Sequence, residues 1–312
     1  MIGIVFVTFT TLKSYIMKYK VLLGLLTFCC CVFTQAQEKD SLATKSNLFT
    51  FSPSKLLTKG QWDIKWFNNL YTEVRGADKN GAKSDRMRQN FFTSSLDVFT
   101  GINDSKTINV GLSIEYRSNT INGMDALSVF KFKNNPTQSS RSGVTSIAPS
   151  IKFSPIKQVS NFTIQSAFHI PLISKEELSG VFLDQKGFIW QNKFFYDYVA
   201  DSEQFQIFAE VNTLYSFGKK SASYANDSLG VAPGVFVSYF PNQNFTILGL
   251  VQHYNLIAIN NGFAQNYTAV GAGAKYQLTR TVNFELIYTN FVRGNDTGLG
   301  QTFNFGLRAL LD

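Results

Sequence analysis

The sequence has few charged residues, no long apolar run after residue 36, and no cysteine after position 31. Charged residues make up 16% of the chain, against roughly a quarter in soluble globular domains. A helical membrane protein needs runs of about 20 apolar residues, and the region after residue 36 has none. These shortages argue against both an ordinary soluble domain and a helical membrane protein.

The three cysteines, Cys29, Cys30 and Cys31, lie in a segment that we expect to be removed. The remaining chain would contain no cysteine, which excludes a disulfide scaffold and suits export to an oxidising compartment. Histidine is also scarce, and neither a His-Glu-x-x-His zinc motif nor a Gly-x-Ser-x-Gly nucleophile motif is present. We therefore expect no catalytic residues, no cofactor and no metal site.

The chain has 29 basic and 21 acidic residues, a net charge of +8. Proteins that bind nucleic acid concentrate such charge in a patch or along a recognition helix. Here the lysines and arginines are scattered, so we expect no nucleic-acid partner.

Residues 17–36 have the parts of a signal peptide. Two lysines follow Met17, an apolar stretch extends to residue 34, and Ala36 is a small residue at the expected cleavage site. Cys29 follows a bulky aromatic residue, which disfavours lipid attachment there. We predict cleavage near Ala36 and export in a Gram-negative cell. We interpret residues 1–16 as a misassigned start or an extension.

The remaining chain divides into a polar lead-in and a long alternating region. Residues 37–60 include Pro53 and Gly60, and we expect them to form a periplasmic lead-in. Apolar and polar residues alternate from residue 61 to residue 312. In the segment 107–117 the apolar side chains share one face: Ile108, Val110, Leu112, Ile114 and Tyr116. Successive side chains of a strand point to opposite faces, so this pattern predicts an apolar-out, polar-in strand.

The alternating region predicts an antiparallel up-and-down transmembrane β-barrel of about 12 strands, with both ends in the periplasm. The predicted strands span 62–74, 89–100, 106–117, 143–153, 161–172, 187–199, 204–217, 229–240, 244–257, 266–278, 281–292 and 301–311. Two of them, 229–240 and 244–257, are apolar on both faces, which leaves their register open and the strand count uncertain by two.

Short and long connections alternate, as they do in outer-membrane barrels. The predicted tight turns lie at Asn103-Asp104, 154–160, 200–203, 241–243 and 279–280. The predicted outer loops are 75–88, 118–142, 173–186, 218–228, 258–265 and 293–300.

The alternative architecture is a soluble β-sandwich or propeller. The polar faces favour the barrel, because they carry Asn, Gln, Ser, Thr and Gly more than Lys and Glu. Aromatic residues make up 15% of the chain, and several lie near strand ends, as in the interfacial girdles of barrels. They are Trp62, Trp66, Trp190, Tyr196, Tyr198, Tyr215, Tyr239 and Tyr288.

Charged side chains are expected to face the lumen, because a charge near the middle of the lipid-facing wall costs about 2–4 kcal/mol. The predicted lumen-lining residues, with Asp97 beside them, are Lys65, Glu73, Glu115, Arg117, Lys152, His169, Lys193, Asp197, Glu210, Lys275, Glu285 and Arg308. We interpret His169 as a hydrogen-bonded lumen residue, since outer-membrane lipid hydrolases act from the lipid-facing side.

The stretch Phe51-Ser-Pro-Ser-Lys-Leu-Leu-Thr-Lys-Gly-Gln-Trp-Asp-Ile-Lys-Trp-Phe-Asn-Asn-Leu-Tyr71 resembles the outer-membrane barrels of Bacteroidota. The whole barrel is loosely similar to the MetA-like outer-membrane transporters linked to phenol degradation. Many such barrels end on an aromatic residue, whereas this chain ends on Asp312. The resemblance implies an outer-membrane location and brings no site residues with it.

Passive passage of small solutes through the outer membrane is the function that these features favour. The first alternative is a closed barrel acting through its outer loops, in adhesion or in an envelope complex. The second is a lipid hydrolase. The expected partners are outer-membrane lipid, the outer-membrane assembly machinery and a small solute. The apolar run Ala126 to Phe130 in the longest loop is expected to touch a partner or to fold over the pore.

Overall fold

A computed structural model describes residues 53–156, 158–218, 226–260 and 262–312. The predicted signal peptide, and the lead-in as far as residue 52, lie outside the described residues. Twelve long strands occur in the described part: β1 Trp62–Ala77, β2 Lys83–Gly101, β3 Ile108–Thr120, β4 Ser140–Phe153, β5 Phe162–Pro171, β6 Ile189–Val199, β7 Phe205–Ser216, β8 Ser228–Asn242, β9 Phe245–Ala258, β10 Gln265–Gln277, β11 Val282–Asn295 and β12 Gln301–Leu311. No helix in these ranges is long and apolar enough to cross a membrane.

Each strand pairs antiparallel with the next, and the last pairs with the first. The closing ladder between β1 and β12 runs from Trp62 opposite Leu311 to Thr72 opposite Gln301. Closure leaves no long strand with an unpaired edge, which a lipid environment requires. The predicted barrel of 12 antiparallel strands is therefore confirmed.

Alternation along the strands produces two chemically different walls. Trp66, Leu96 and Ile114 lie side by side on β1, β2 and β3, and they are 45%, 41% and 38% exposed on the outer wall. They belong to the exposed apolar side chains on the outward faces of the strands, which also include Ile247 of β9 and which we call the outer band. Their chain neighbours Lys65 and Asp97 point the opposite way, into the lumen. The polar wall is thus enclosed, and the apolar wall faces outward.

The register of β8 and β9, which the sequence left open, places Val235 opposite Val251. These two valines face outward, while Phe236 and Leu250 line the lumen. The second apolar face of these strands is therefore part of the inner wall.

Two prolines coincide with gaps in the strand ladders. Pro149 of β4 lies where the pairing with β5 is interrupted, and Pro233 of β8 lies where the pairing with β9 is interrupted. Proline has no backbone N–H to donate to a neighbouring strand. Both prolines still pair in register with the strand on their other side.

The first outer connection is shorter than the predicted loop 75–88, because β1 continues to Ala77 and β2 begins at Lys83. The turn contains only residues 78–82. The carboxylate of Asp78 accepts hydrogen bonds from the backbone N–H groups of Asn80 (2.8 Å) and Ala82 (2.9 Å). The prediction of a loop over 75–88 is therefore wrong at both ends, because polar residues there belong to the ends of the two strands.

The longest loop connects β3 and β4 and contains the 3₁₀ turns Ala126–Lys131 and Pro136–Gln138. The prediction that its apolar run folds over the pore is wrong. Val129 is fully buried against Leu70 and Phe92, and both of these side chains project outward from the barrel. The apolar run therefore packs on the outside of the barrel, because that is where the wall offers an apolar partner.

Candidate functional site

The lumen contains a cavity of about 800 Å³ that inward-facing side chains of many strands line. Pro53 lies at the end of the barrel where β1 begins and β12 ends, here called the terminal end. Phe182 and Gly298 lie at the opposite end, here called the loop end. The cavity thus extends along most of the barrel.

The structure places the predicted lumen residues in two groups. Seven of them line the cavity, together with Asp97: Lys65, Glu73, Arg117, Lys193, Glu210, Lys275 and Glu285. The other five, Glu115, Lys152, His169, Asp197 and Arg308, share the inward face of their strands but do not line the cavity itself. That these residues line a conducting pore stays a prediction.

Many of the charged side chains in the lumen form ion pairs with a side chain of the opposite charge. Lys275 Nζ lies 2.7 Å from Glu285 Oε2 across neighbouring strands. Arg117 contacts Glu115 on its own strand (3.4 Å) and Asp184 in a loop (3.2 Å). Pairing lowers the cost of holding these charges away from bulk water. A similar pair joins Arg86 to Glu73 near the loop end.

Aromatic rings form a second feature of the lumen, which the sequence analysis missed. Tyr267 stacks on Phe291 with ring centroids 4.0 Å apart, and Phe291 contacts Tyr71 at 5.0 Å. The rings that line the cavity are Phe67, Tyr71, Phe91, Phe182, Phe208, Phe236, Phe240, Tyr267 and Phe291. The apolar second face of β8 is the sequence signal that corresponds to these rings.

The described part of the lead-in, residues 53–60, lies against the inner wall at the terminal end. Lys152 of β4 donates from Nζ to the carbonyl oxygens of Pro53 and Lys55, the latter at 2.9 Å. Lys55 in turn lies 3.9 Å from Asp197 of β6. Lys152 and Asp197, two of the charges that the sequence placed in the lumen, therefore bind a segment of the same chain.

Further along, the lead-in is fastened to the beginning of β3. The backbone N–H of Leu57 donates to the side-chain oxygen of Asn109 (3.1 Å), and the side chains of Ser54 and Leu57 are buried. Gly101 permits this close approach, because a side chain there would collide with the carbonyl oxygens of Leu57 and Thr58. The lead-in consequently narrows the terminal end of the lumen.

The loop between β5 and β6, residues 172–188, folds into the other end and is called the inward loop. It contains a short hairpin of Glu177–Leu178 and Val181–Phe182. Asn119 of β3 donates from Nδ2 to the carbonyl oxygens of Phe182 (2.9 Å) and Leu183 (3.1 Å). The sequence predicted this segment as an outer loop and gave no sign that it enters the lumen.

Arg141 of β4 holds the base of the inward loop. Its guanidinium donates to three backbone carbonyl oxygens, those of Lys175 (2.9 Å), Glu176 (2.6 Å) and Val181 (3.2 Å). The side chain is buried, and its position is set by the pairing of β4 with β3. This arginine was absent from the predicted lumen set.

The two histidines lie on opposite walls. His169 faces inward with Nε2 3.2 Å from Gln191 Oε1, as expected for a hydrogen-bonded lumen residue. His253 faces outward with Nδ1 3.0 Å from Thr268 Oγ1. Neither histidine hydrogen-bonds to a serine or a carboxylate in the described part of the chain.

Comparison with known proteins gives structural likeness without sequence likeness. The COG4313 outer membrane channel from Pseudomonas putida F1 has a TM-score of 0.62 at 10% identity, covering 83% of this chain and 98% of that one. The chain has the fold of an outer-membrane β-barrel. The β domain of the Bordetella autotransporter BrkA has a TM-score of 0.53 at 11% identity, covering 79% of this chain and 98% of that one.

No protein family and no curated protein matches the sequence. The resemblance to barrels of Bacteroidota and to MetA-like transporters therefore stays a prediction.

Proposed function

We propose that this protein is an outer-membrane channel through which small solutes pass, with its terminal end in the periplasm. The observation that carries the proposal is the cavity of about 800 Å³ that extends from Pro53 to Phe182 inside the closed barrel. Its wall combines paired charges with aromatic rings, so it accommodates both water and small organic molecules. The similar fold of a protein described as an outer membrane channel supports the same function.

The channel is narrow at both ends. The lead-in lies across the terminal end, and the inward loop lies in the loop end. Side chains of the wall hold both segments through hydrogen bonds and ion pairs. A solute that crosses the barrel passes both segments, so we expect movement of the lead-in and of the inward loop to widen the path.

The test is single-channel recording in planar bilayers with protein extracted from outer membranes. We expect small, discrete conductance steps from the wild-type barrel and larger steps when the lead-in is detached. Heat-dependent mobility on a gel checks that the barrel is folded. Correctly folded protein that is silent in both forms contradicts the proposal. Membrane fractionation tests the location separately.

The lipid hydrolase alternative has less support, because His169 faces the lumen and binds Gln191. The outward-facing His253 hydrogen-bonds to Thr268 and to no serine or carboxylate in the described part of the chain. Adhesion and membership of an envelope complex stay predictions. Loss of partner capture without any change in conductance, after truncation of the longest loop, would favour them.

A further inference from the structure

The loop that packs on the outer wall, residues 121–133, is called the outer flap. It is held by polar side chains that point outward from the barrel. Ser118 donates from its hydroxyl to the carbonyl oxygen of Val129 (2.6 Å), and Asn90 donates to the carbonyl oxygens of Met124 (3.0 Å) and Asp125 (3.2 Å). The outer flap is therefore fixed to the wall and covers polar groups that would otherwise face lipid.

Apolar packing adds to these hydrogen bonds. Phe92 contacts the ring of Phe130 at 5.0 Å and the ring of Phe132 at 6.2 Å, while Val129 is fully buried between the flap and the wall. The backbone N–H of Gly123 also donates to the carbonyl oxygen of Arg88 (3.1 Å). The inner side of the outer flap is thus held by both polar and apolar contacts with the wall.

The outer side of the flap is apolar and has no protein covering it in the described structure. Leu127, Phe130 and Phe132 are 67%, 44% and 47% exposed. Phe132 touches the ring of Tyr116 at 5.7 Å, and Tyr116 lies two positions beyond Ile114 of the outer band. The exposed face of the flap is therefore continuous with the lipid-facing wall.

Two exposed lysines, Lys131 and Lys133, stand beside this apolar face, and Asp125 is the acidic residue of the flap. Aromatic and aliphatic side chains next to lysines match the boundary between acyl chains and phosphate-bearing headgroups. A water-facing loop would instead gain nothing from exposing three large apolar side chains.

The geometry points to the outer flap as a lipid-docking surface. Leu127, Phe130 and Phe132 lie among the acyl chains of the outer leaflet, and Lys131 and Lys133 bind the phosphate groups of anionic lipids there. The inference rests on the membrane location that the proposed function assumes. It adds a lipid contact made by a loop to the contacts made by the barrel wall.

Site-directed spin labelling tests this placement, because no cysteine follows position 31 in the sequence. Full barrels isolated from outer membranes would carry Leu127→Cys, Ile247→Cys or Gln138→Cys, each with a nitroxide label. Ile247 is an exposed residue of the outer band, and Gln138 is an exposed residue in the second 3₁₀ turn of the same loop. The label's collisions with oxygen, which concentrates in lipid, and with a water-soluble nickel chelate report its depth.

In vesicles of phosphatidylcholine with phosphatidylglycerol, we expect position 127 to resemble position 247 and to differ from position 138. Replacing Lys131 and Lys133 with Gln should move the label at 127 toward water and remove any difference between vesicles with and without phosphatidylglycerol.

Three results would overturn the inference, and they are distinguishable. Nickel accessibility at position 127 equal to that at position 138 places the flap in water. If the label at position 127 is inaccessible to both oxygen and the nickel chelate, and becomes accessible when the protein is diluted in lipid, a second copy covers the flap. A water-exposed label at position 247 contradicts the membrane location itself, and with it the proposed function.

Discussion

Arg308 of β12 and Asp63 of β1 form a two-pronged ion pair across the ladder that closes the barrel. Nε donates to Oδ1 at 2.7 Å and Nη2 donates to Oδ2 at 2.6 Å. The pair joins residues 245 positions apart in the chain. Planar, two-pronged pairing of this kind is stronger and more directional than a single contact. It therefore favours the register in which the first and last strands meet.

Replacing Asp63 with Asn should destabilise the folded barrel by about 3 kcal/mol, at the low end of the cost of breaking a buried ion pair. The low end applies because 12% of the Arg308 side chain and 16% of the Asp63 side chain stay accessible. Urea-induced unfolding in lipid vesicles measures the change.

Asp104→Asn is the matched control, since Asp104 lies exposed in the turn between β2 and β3. We expect its free energy of unfolding to equal that of the wild type. Equal stability of the two variants would show that the Arg308 pair does not contribute to closure.

Leu57→Asp should detach the lead-in from the terminal end. Burial of a leucine side chain contributes about 2 kcal/mol, and its loss alone shifts the docked equilibrium about 30-fold. An unpaired carboxylate in the same place weakens docking further. Larger single-channel steps are the expected result.

Leu56→Asp provides the comparison, because Leu56 is the neighbouring leucine and is only half-buried. Its conductance should change less than that of the Leu57 variant. If both variants conduct like the wild type while remaining folded, the lead-in does not limit passage.

Arg141→Gln should release the inward loop, because three hydrogen bonds from a charged donor are lost. Hydrogen bonds to charged groups contribute about 1.5–3 kcal/mol each, so loosening by at least an order of magnitude is expected. Trypsin added to intact cells should then cleave faster after Lys175 and Lys186.

Arg293→Gln removes an exposed arginine of β11 near the loop end and serves as the control. Its cleavage rate at the same two lysines should match that of the wild type. An unchanged rate in the Arg141 variant would mean that Asn119 and the ion pair of Asp184 hold the loop without the arginine.

The barrel was predictable from the sequence because alternation is a local property. Lipid outside and polar groups inside impose a period of two on each strand, and segments such as 107–117 display it without any tertiary information. The same rule placed Lys275 and Glu285 inward. Strand ends were harder to predict, as at Ala77 and Lys83, since polar residues occur both in loops and in strands beyond the lipid.

The contents of the lumen were not predictable in the same way. The lead-in and the inward loop are held by contacts between residues far apart in the chain, such as Leu57 with Asn109 and Arg141 with Glu176. No periodic pattern encodes such contacts. The position of Ala126–Lys131 outside the barrel also depends on Leu70 and Phe92 meeting on neighbouring strands.

The pair Lys275–Glu285 should set the ion preference of an open channel. The charged residues that line the cavity comprise Lys65, Lys193, Lys275 and Arg117 against Glu73, Asp97, Glu210 and Glu285. Since the two signs are equal in number, we expect the wild type to discriminate weakly between potassium and chloride. Glu285→Gln leaves Lys275 uncompensated and should favour chloride, whereas Lys275→Gln should favour potassium.

The size of this effect follows from the distance between the charge and a passing ion. At about 6 Å, a unit charge contributes about 0.7 kcal/mol in water and about 3 kcal/mol at an effective dielectric constant of 20. Because the charge attracts one ion and repels the other, even the smaller value changes the potassium-to-chloride permeability ratio about tenfold. Reversal potentials in a potassium chloride gradient should therefore move in opposite directions for the two variants. Shifts in the same direction, or none, would show that ions do not pass beside this pair.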